Sequence, residues 1–97
     1  MLFANIYRWR DDAHSKAAGN EIMSRYAEFG GDGPGAIAHY VFADGTGGII
    51  LVDTADLSHA YKASLRFNEF LDLDLSEVRP LLPLDDALPS ISEYLGA

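Results

Sequence analysis

The sequence predicts an α+β domain in which a four-stranded antiparallel sheet and two helices follow the order β-α-β-β-α-β, with a further helix at the C-terminal end. Three observations carry this prediction. Ile37–Phe42 and Ile49–Asp53 are apolar and β-rich, and they flank Ala43-Asp44-Gly45-Thr46-Gly47-Gly48, a glycine-dense turn typical of a hairpin. Leu2–Arg10 alternates with period two, and its aromatic and β-branched content suits a strand. Two segments, one before and one after the hairpin, carry apolar residues at helical spacing. Ninety-seven residues with 48% hydrophobic content provide for one core, so residues 1–97 are read as a single domain.

Each element has its own justification. In the first strand Leu2, Ala4, Ile6 and Arg8 share one face, and Phe3, Asn5, Tyr7 and Trp9 the other. Apolar residues on both faces predict an interior strand. Asp11 and Asp12 suit a helix start, and Ala18, Ile22, Tyr26 and Phe29 then recur at helical spacing through Ala13–Phe29. Gly19-Asn20 is expected to kink or restart that helix, and Gly30 to close it. Gly30-Gly31-Asp32-Gly33-Pro34-Gly35 is a breaker segment. It does not suit a phosphate loop, because it leads out of a helix into a strand rather than from a strand into a helix N-terminus.

Ile49-Ile50-Leu51-Val52 is continuously apolar, as in a strand covered on both faces. Thr54-Ala55-Asp56 is expected to cap a second helix, with Leu57, Ala60, Tyr61 and Leu65 as its apolar stripe to about Asn68. Phe67 and Phe70 fall off that stripe and are expected to meet a second surface. A last strand is predicted around Ser76–Leu82; Pro80 makes it an edge strand or a bulge, since proline cannot donate to a ladder. A short closing helix is expected over Ser90–Leu95, with Pro89 at its start. The order is that of the ferredoxin-like fold, with both helices on one face of the sheet. The bare face then calls for a second copy packed sheet to sheet, and a homodimer is expected.

Composition excludes several classes. No cysteine is present, so there is no disulfide framework, thiolate nucleophile or cysteine-based metal site. Net charge is −8, and the only local basic group is Arg8, Arg10 and Lys16, which argues against nucleic acid as a partner. The scattered acidic residues read as a solubilising surface. Met1–Arg8 has neither a basic leader nor a cleavable apolar block, and no apolar run approaches a membrane-spanning length. The expectation is a soluble, cytoplasmic protein without a membrane association.

Several segments resemble the DUF3303 family of small bacterial and phage-associated proteins. They are Met1-Leu2-Phe3 with Ile6-Tyr7-Arg8-Trp9, the Ala43–Gly48 turn, Leu51-Val52-Asp53-Thr54-Ala55-Asp56, and Asp72-Leu73 leading to Glu77-Val78-Arg79-Pro80-Leu81-Leu82. The likeness spans nearly the whole chain. It departs in a longer first-helix region, in Asp53-Thr54 where the family often has Glu-Thr, and in lacking a Trp near Phe67. The resemblance implies a ferredoxin-like domain in a dimeric α/β-barrel-type assembly, and it implies no activity. Relatives of that fold include cofactor-free monooxygenases, isomerases, haem-degrading enzymes and regulatory domains, which is analogy of fold alone.

Candidate chemistry is confined to a few residues. Asn5, Tyr7 and Trp9 place an amide, a phenol and an indole beside Phe3, as small-ligand sites do. They are expected to line a cavity on the sheet face away from the helices; the same residue types also suit a dimer interface. His39 sits in the second strand with Ile37 and Val41 on its face, and a histidine so placed is more often packed than catalytic. Asn5, Tyr7, Trp9 and His39 are therefore the candidate ligand-binding set, and His39 and Asn5 the candidate catalytic residues. His14 and His59 read as solvent-facing helix residues. Asp11, Asp12 and His14 form too loose a cluster for a metal site, and neither metal nor cofactor is expected. Asp72 and Asp74 read as solvated edge charges. The leading function is a non-catalytic dimeric domain that binds a small apolar or aromatic molecule or acts as an interaction module. The alternatives are a cofactor-independent monooxygenase or isomerase using Asn5, Trp9 and His39, and an acidic protein that binds a host or phage protein partner.

Overall fold

A computed structural model of the protein describes residues 1–96. Its elements are β1 (Leu2–Arg8), a 3-10 turn (Asp11–His14), α1 (Lys16–Phe29), β2 (Ala36–Val41), β3 (Gly47–Asp53), α2 (Ser58–Phe67), β4 (Glu77–Leu81) and α3 (Leu84–Tyr94). The four strands form one sheet in the order β2-β3-β1-β4, and every neighbouring pair is antiparallel. This is the ferredoxin-like arrangement with a C-terminal helix added. β1 and β3 are interior, and β4, which carries Pro80 opposite Phe3, is an edge.

Local chemistry explains most boundaries. The β2–β3 hairpin closes through Phe42 N–H to Gly47 O at 2.8 Å and Gly45 N–H to Phe42 O at 2.9 Å. Gly45 adopts φ 76°, and the Asp44 carboxylate accepts from both Thr46 N–H and Thr46 Oγ1–H, which fixes the turn. Gly30, at φ 87°, ends α1 with a left-handed cap.

Three helix expectations are corrected. The first helix breaks at Ser15 rather than at Gly19-Asn20: Asp11–His14 form a separate 3-10 turn, and Ser15 Oγ caps α1 by accepting from Ala18 N–H at 3.1 Å. α1 then runs through Gly19-Asn20, because a cap that satisfies a free N–H outweighs one poor helix former. The inward stripe of α2 is His59, Ala60, Ala63, Ser64 and Phe67; of the expected stripe, Ala60 faces the cavity and Leu57 borders it from just before the helix, while Tyr61 and Leu65 are exposed. α3 begins at Leu84, six residues before the expected start, with Pro83 as its extended N-cap and Pro89 inside the helix.

Strand pairing sorts the sheet into two faces. Phe3, Asn5 and Tyr7 stand opposite Val52, Ile50 and Gly48, and His39 stands opposite Ile50. Leu2, Ala4 and Ile6 share the other face with Leu51, Ile49, Arg79 and Leu81. α1 and α2 lie over the face that carries Asn5 and Tyr7, since residues of both helices line one cavity with them. That reverses the expected orientation. The polar-aromatic residues look toward the helices, and the hydrocarbon face looks away. A register shift between Ala36 and Ala38 leaves Ile37 exposed, out of line with His39 and Val41. Ala4, Ala13 and Leu71 are the buried apolar residues among those described, so the layer between sheet and helices is hollow. No helix among the described residues is long and apolar enough to cross a membrane.

Candidate functional site

The hollow between sheet and helices is a cavity of about 360 Å³, within the range of small-ligand sites. Its floor is the inner sheet face, with Phe3, Asn5, Tyr7 and Trp9 from β1 and the residue just beyond it, His39 and Val41 from β2, and Ile50 and Val52 from β3. Ile22, Tyr26 and Phe29 of α1 and Phe67 of α2 form the roof. All four residues of the candidate ligand set thus meet in one cavity, on the helix-facing side.

One end of the cavity carries a hydrogen-bonded chain. Tyr7 Oη lies 2.6 Å from His39 Nε2, and His39 Nδ1 lies 2.9 Å from Asp32 Oδ1. Tyr26 Oη–H donates to the same Asp32 oxygen at 2.7 Å. A carboxylate only accepts, so the His39 proton belongs on Nδ1 and Nε2 accepts the Tyr7 hydroxyl proton. The tautomer is assigned from this network. Tyr7 Oη is left with lone pairs of its own. Burial, with the negative charge of Asp32 adding to it, raises the Tyr7 phenol above its ordinary pKa. Tyr26 is pushed up to about 12, chiefly by the hydrogen bond it donates to Asp32 and then by burial.

The backbone places these groups. Asp32 follows Gly31 at φ 76° and precedes Gly33 at φ 84°, and these left-handed glycines turn the chain back along the sheet edge so that its carboxylate reaches β2. Gly33 also admits His59, whose ring occupies the space of any Cβ there. In the same way Gly48 makes room for the Tyr7 hydroxyl, which a Cβ would strike. Tyr7 is held further by edge contacts with Trp9, centroids 5.1 Å apart, and with His39, 5.5 Å apart.

Other polar groups in the cavity lack partners. Among the described residues the Asn5 amide and the Trp9 indole N–H make no side-chain hydrogen bond, while both residues line the space. His59 Nε2 is buried without a hydrogen-bond partner, and its ring packs on Phe29 with centroids 4.5 Å apart. His59 was expected to face solvent and instead lines the cavity, because α2 is rotated from its expected stripe. Phe67, expected at a second surface, also points inward and meets Phe29 edge-on at 6.5 Å. Asp32 and Tyr26 were not among the sequence candidates. The signal for Asp32 was its position between glycines in a breaker segment, where an acidic residue has no helix or ladder to serve. His14 is exposed in the 3-10 turn. Asp72 Oδ1 accepts from Asp74 N–H at 3.1 Å in a turn beside β4. No group of acidic and histidine residues suited to a metal occurs among the described residues.

Beyond the cavity, Arg25 of α1 binds Glu21 and Glu69, donates to Arg66 O and stacks on Phe70, so it fixes the turn after α2 against α1. This cluster is an exposed clamp. A family model described as a domain of unknown function, DUF3303, matches residues 1–95. No curated protein and no solved structure matches the chain.

Proposed function

Because the chain belongs to the DUF3303 family, whose description assigns no activity, we propose a function from the cavity itself: the protein binds a small, mainly apolar or aromatic molecule that carries one hydroxyl. The observation that supports this reading is the Tyr7–His39–Asp32 chain ending in a mainly apolar space. The Tyr7 proton is committed to His39, so Tyr7 Oη offers a lone pair and favours a ligand that donates. An enol or phenol fits. Its hydroxyl donates to Tyr7 Oη, while its ring packs among Phe3, Ile22, Phe29, Ile50 and Phe67. The Asn5 amide and the Trp9 N–H remain available for a second polar atom of the same ligand.

The chain also permits a proton shift. The ligand hydroxyl gives its proton to Tyr7 Oη, the Tyr7 proton passes to His39 Nε2, and the resulting imidazolium keeps its Nδ1–H on Asp32. The ligand is then bound as an oxyanion beside an ion pair, and no atom or charge is left over. Such a site serves binding alone, and it is also the part that an isomerase or cofactor-independent oxygenase would need for its first step.

The test compares 4-nitrophenol with nitrobenzene, which lacks the hydroxyl. The nitrophenol is expected to bind more tightly, with part of the bound dye absorbing as phenolate at a pH where the free dye is protonated. Tyr7→Phe is expected to abolish the difference between the probes, about five- to tenfold for one hydrogen bond. If neither probe binds, the ligand-binding reading fails. If the two bind equally well to the wild type, the cavity is apolar storage and the role given to Tyr7 fails.

A further inference from the structure

Helix α3 is the least explained part of the molecule. Leu84, Leu88, Ile91 and Leu95 repeat at intervals of four, three and four residues, which places them on one face. They are 67%, 45%, 43% and 70% exposed. Asp86 and Glu93 occupy the opposite side of the helix and Asp85 borders the stripe, so α3 is amphipathic with its apolar stripe in water. Every residue of the helix is exposed except Ala87, which is half-buried.

The outer face of the sheet is the complementary deficit. Leu2, Ile6, Ile49, Leu51 and Leu81, each half-buried, form a hydrocarbon surface around the buried Ala4, because α1 and α2 both lie on the other side. Of its charged members, Arg79 pairs with Glu77 at 2.8 Å, Asp53 pairs with the Met1 ammonium at 3.2 Å, and Arg8 keeps its charge with its guanidinium over the Phe42 ring at 4.5 Å.

The geometry points to docking of α3 on the outer sheet face of a second copy of this chain, with the exchange made in both directions. Area supports it. The exposed surface is 6792 Å², about 1,300 Å² above the roughly 5,500 Å² expected of a compact chain of this mass. A standard interface needs about 800 Å² from each partner, so the excess suffices for one. Shape supports it as well: the radius of gyration is 16.1 Å, against roughly 12.5 Å for a compact chain of this length. Connection length favours a second copy over the helix's own sheet. Only Leu82 and Pro83 join β4 to α3, and Pro83 is extended at φ −53° and ψ 143°, which leaves no chain to reverse the helix onto the face. Each copy supplies the cover that the other lacks, and reciprocal exchange closes at two chains with no apolar stripe left over. This inference does not depend on the cavity, which lies on the other side of the sheet.

Light scattering at micromolar concentration is expected to report twice the 10.6 kDa chain mass. The double variant Leu88→Glu with Ile91→Glu is expected to report a single chain that keeps its sheet signal in circular dichroism. The absence of cysteine allows a second measurement that needs no destabilising change. Ile91→Cys on α3 and Leu51→Cys on the outer face are made in separate chains and mixed. Oxidation is expected to give a mixed disulfide dimer in preference to either like-with-like dimer. A wild-type monomer overturns the proposal. So does cross-linking only between like cysteines, which places helix on helix or sheet on sheet, or closure within one chain when both cysteines are carried together.

Discussion

Tyr26 is held protonated by the hydrogen bond it gives to Asp32, and its phenol is pushed up to about 12 from 10.0. The sign follows from linkage. A group whose folded pKa is raised stabilises the fold fully below its unfolded pKa and loses that contribution as pH climbs through the folded value. Stability is therefore expected to fall between pH 10 and about pH 12, and Tyr26→Phe is expected to flatten that part of the profile of melting temperature against pH. An equal slope in both proteins would contradict the assignment. Gly48 belongs to the same scale. Its Cβ position is taken by the Tyr7 hydroxyl and by Tyr40 O, so Gly48→Ala is expected to cost about 1–3 kcal/mol by overpacking. Chemical denaturation measures that cost, and the same variant should lose the preference for 4-nitrophenol because the Tyr7 hydroxyl is displaced from His39. Among the residues that line the cavity, Asn5, Tyr7 and Trp9 were legible as one strand face and His39 as a strand histidine. Asp32 and His59 were not, since a loop and a rotated helix carry no period that announces where a side chain points.

The helices show the competition between local and tertiary preference. α1 crosses Gly19 without a break, and a Cβ built there meets nothing within 4 Å. Gly19→Ala is accordingly expected to stabilise the protein by about 0.5–1 kcal/mol, through lower entropy in the unfolded chain, and to raise the melting temperature by several degrees. A drop would mean that the helix is bent there in solution. At the start of α2 the Asp56 carboxylate accepts from Ser58 N–H at 2.9 Å and from Ser58 Oγ–H at 2.9 Å. Those bonds hold it below the usual carboxylate range, the backbone bond first. The sign is opposite to that of Tyr26: the stabilisation is present above the unfolded pKa and lost as pH falls through the lowered one. Asp56→Ala is expected to speed amide exchange in the first turn of α2 while leaving the sheet amides unchanged. Tyr61 and Leu65 draw the expected stripe of α2 away from the true one because they are more hydrophobic than the small residues that face the cavity. The cavity selects small residues, Ala60, Ala63 and Ser64, so that the helix can approach the sheet.

At the scale of the molecule two features stand out, a hollow inner layer and a bare outer sheet face with an unpacked helix. Both follow from one arrangement. Two helices on one side of a four-stranded sheet leave the other side open. The small residues that bring α2 inward do not fill the space beneath it. If the cavity takes a ligand and the outer face takes a second copy, both occupants add to stability by mass action. The melting temperature is then expected to rise with protein concentration in the wild type and to be independent of it in the Leu88→Glu, Ile91→Glu double variant. Concentration-independent melting of the wild type would count against the exchanged dimer.

The sequence by itself determined the strands, their antiparallel order, the hairpin and the family, because period-two alternation, glycine turns and proline at an edge act locally on the backbone. It also determined which residues share a face of β1. Only the tertiary structure decided which face meets the helices, since alternation distinguishes two sides of a strand without naming the one a helix will cover. That choice put Asn5, Tyr7 and Trp9 inside with His39, beside Asp32 from the loop before β2 and Tyr26 from α1, and left the hydrocarbon of Leu2, Ala4 and Ile6 on the outer face.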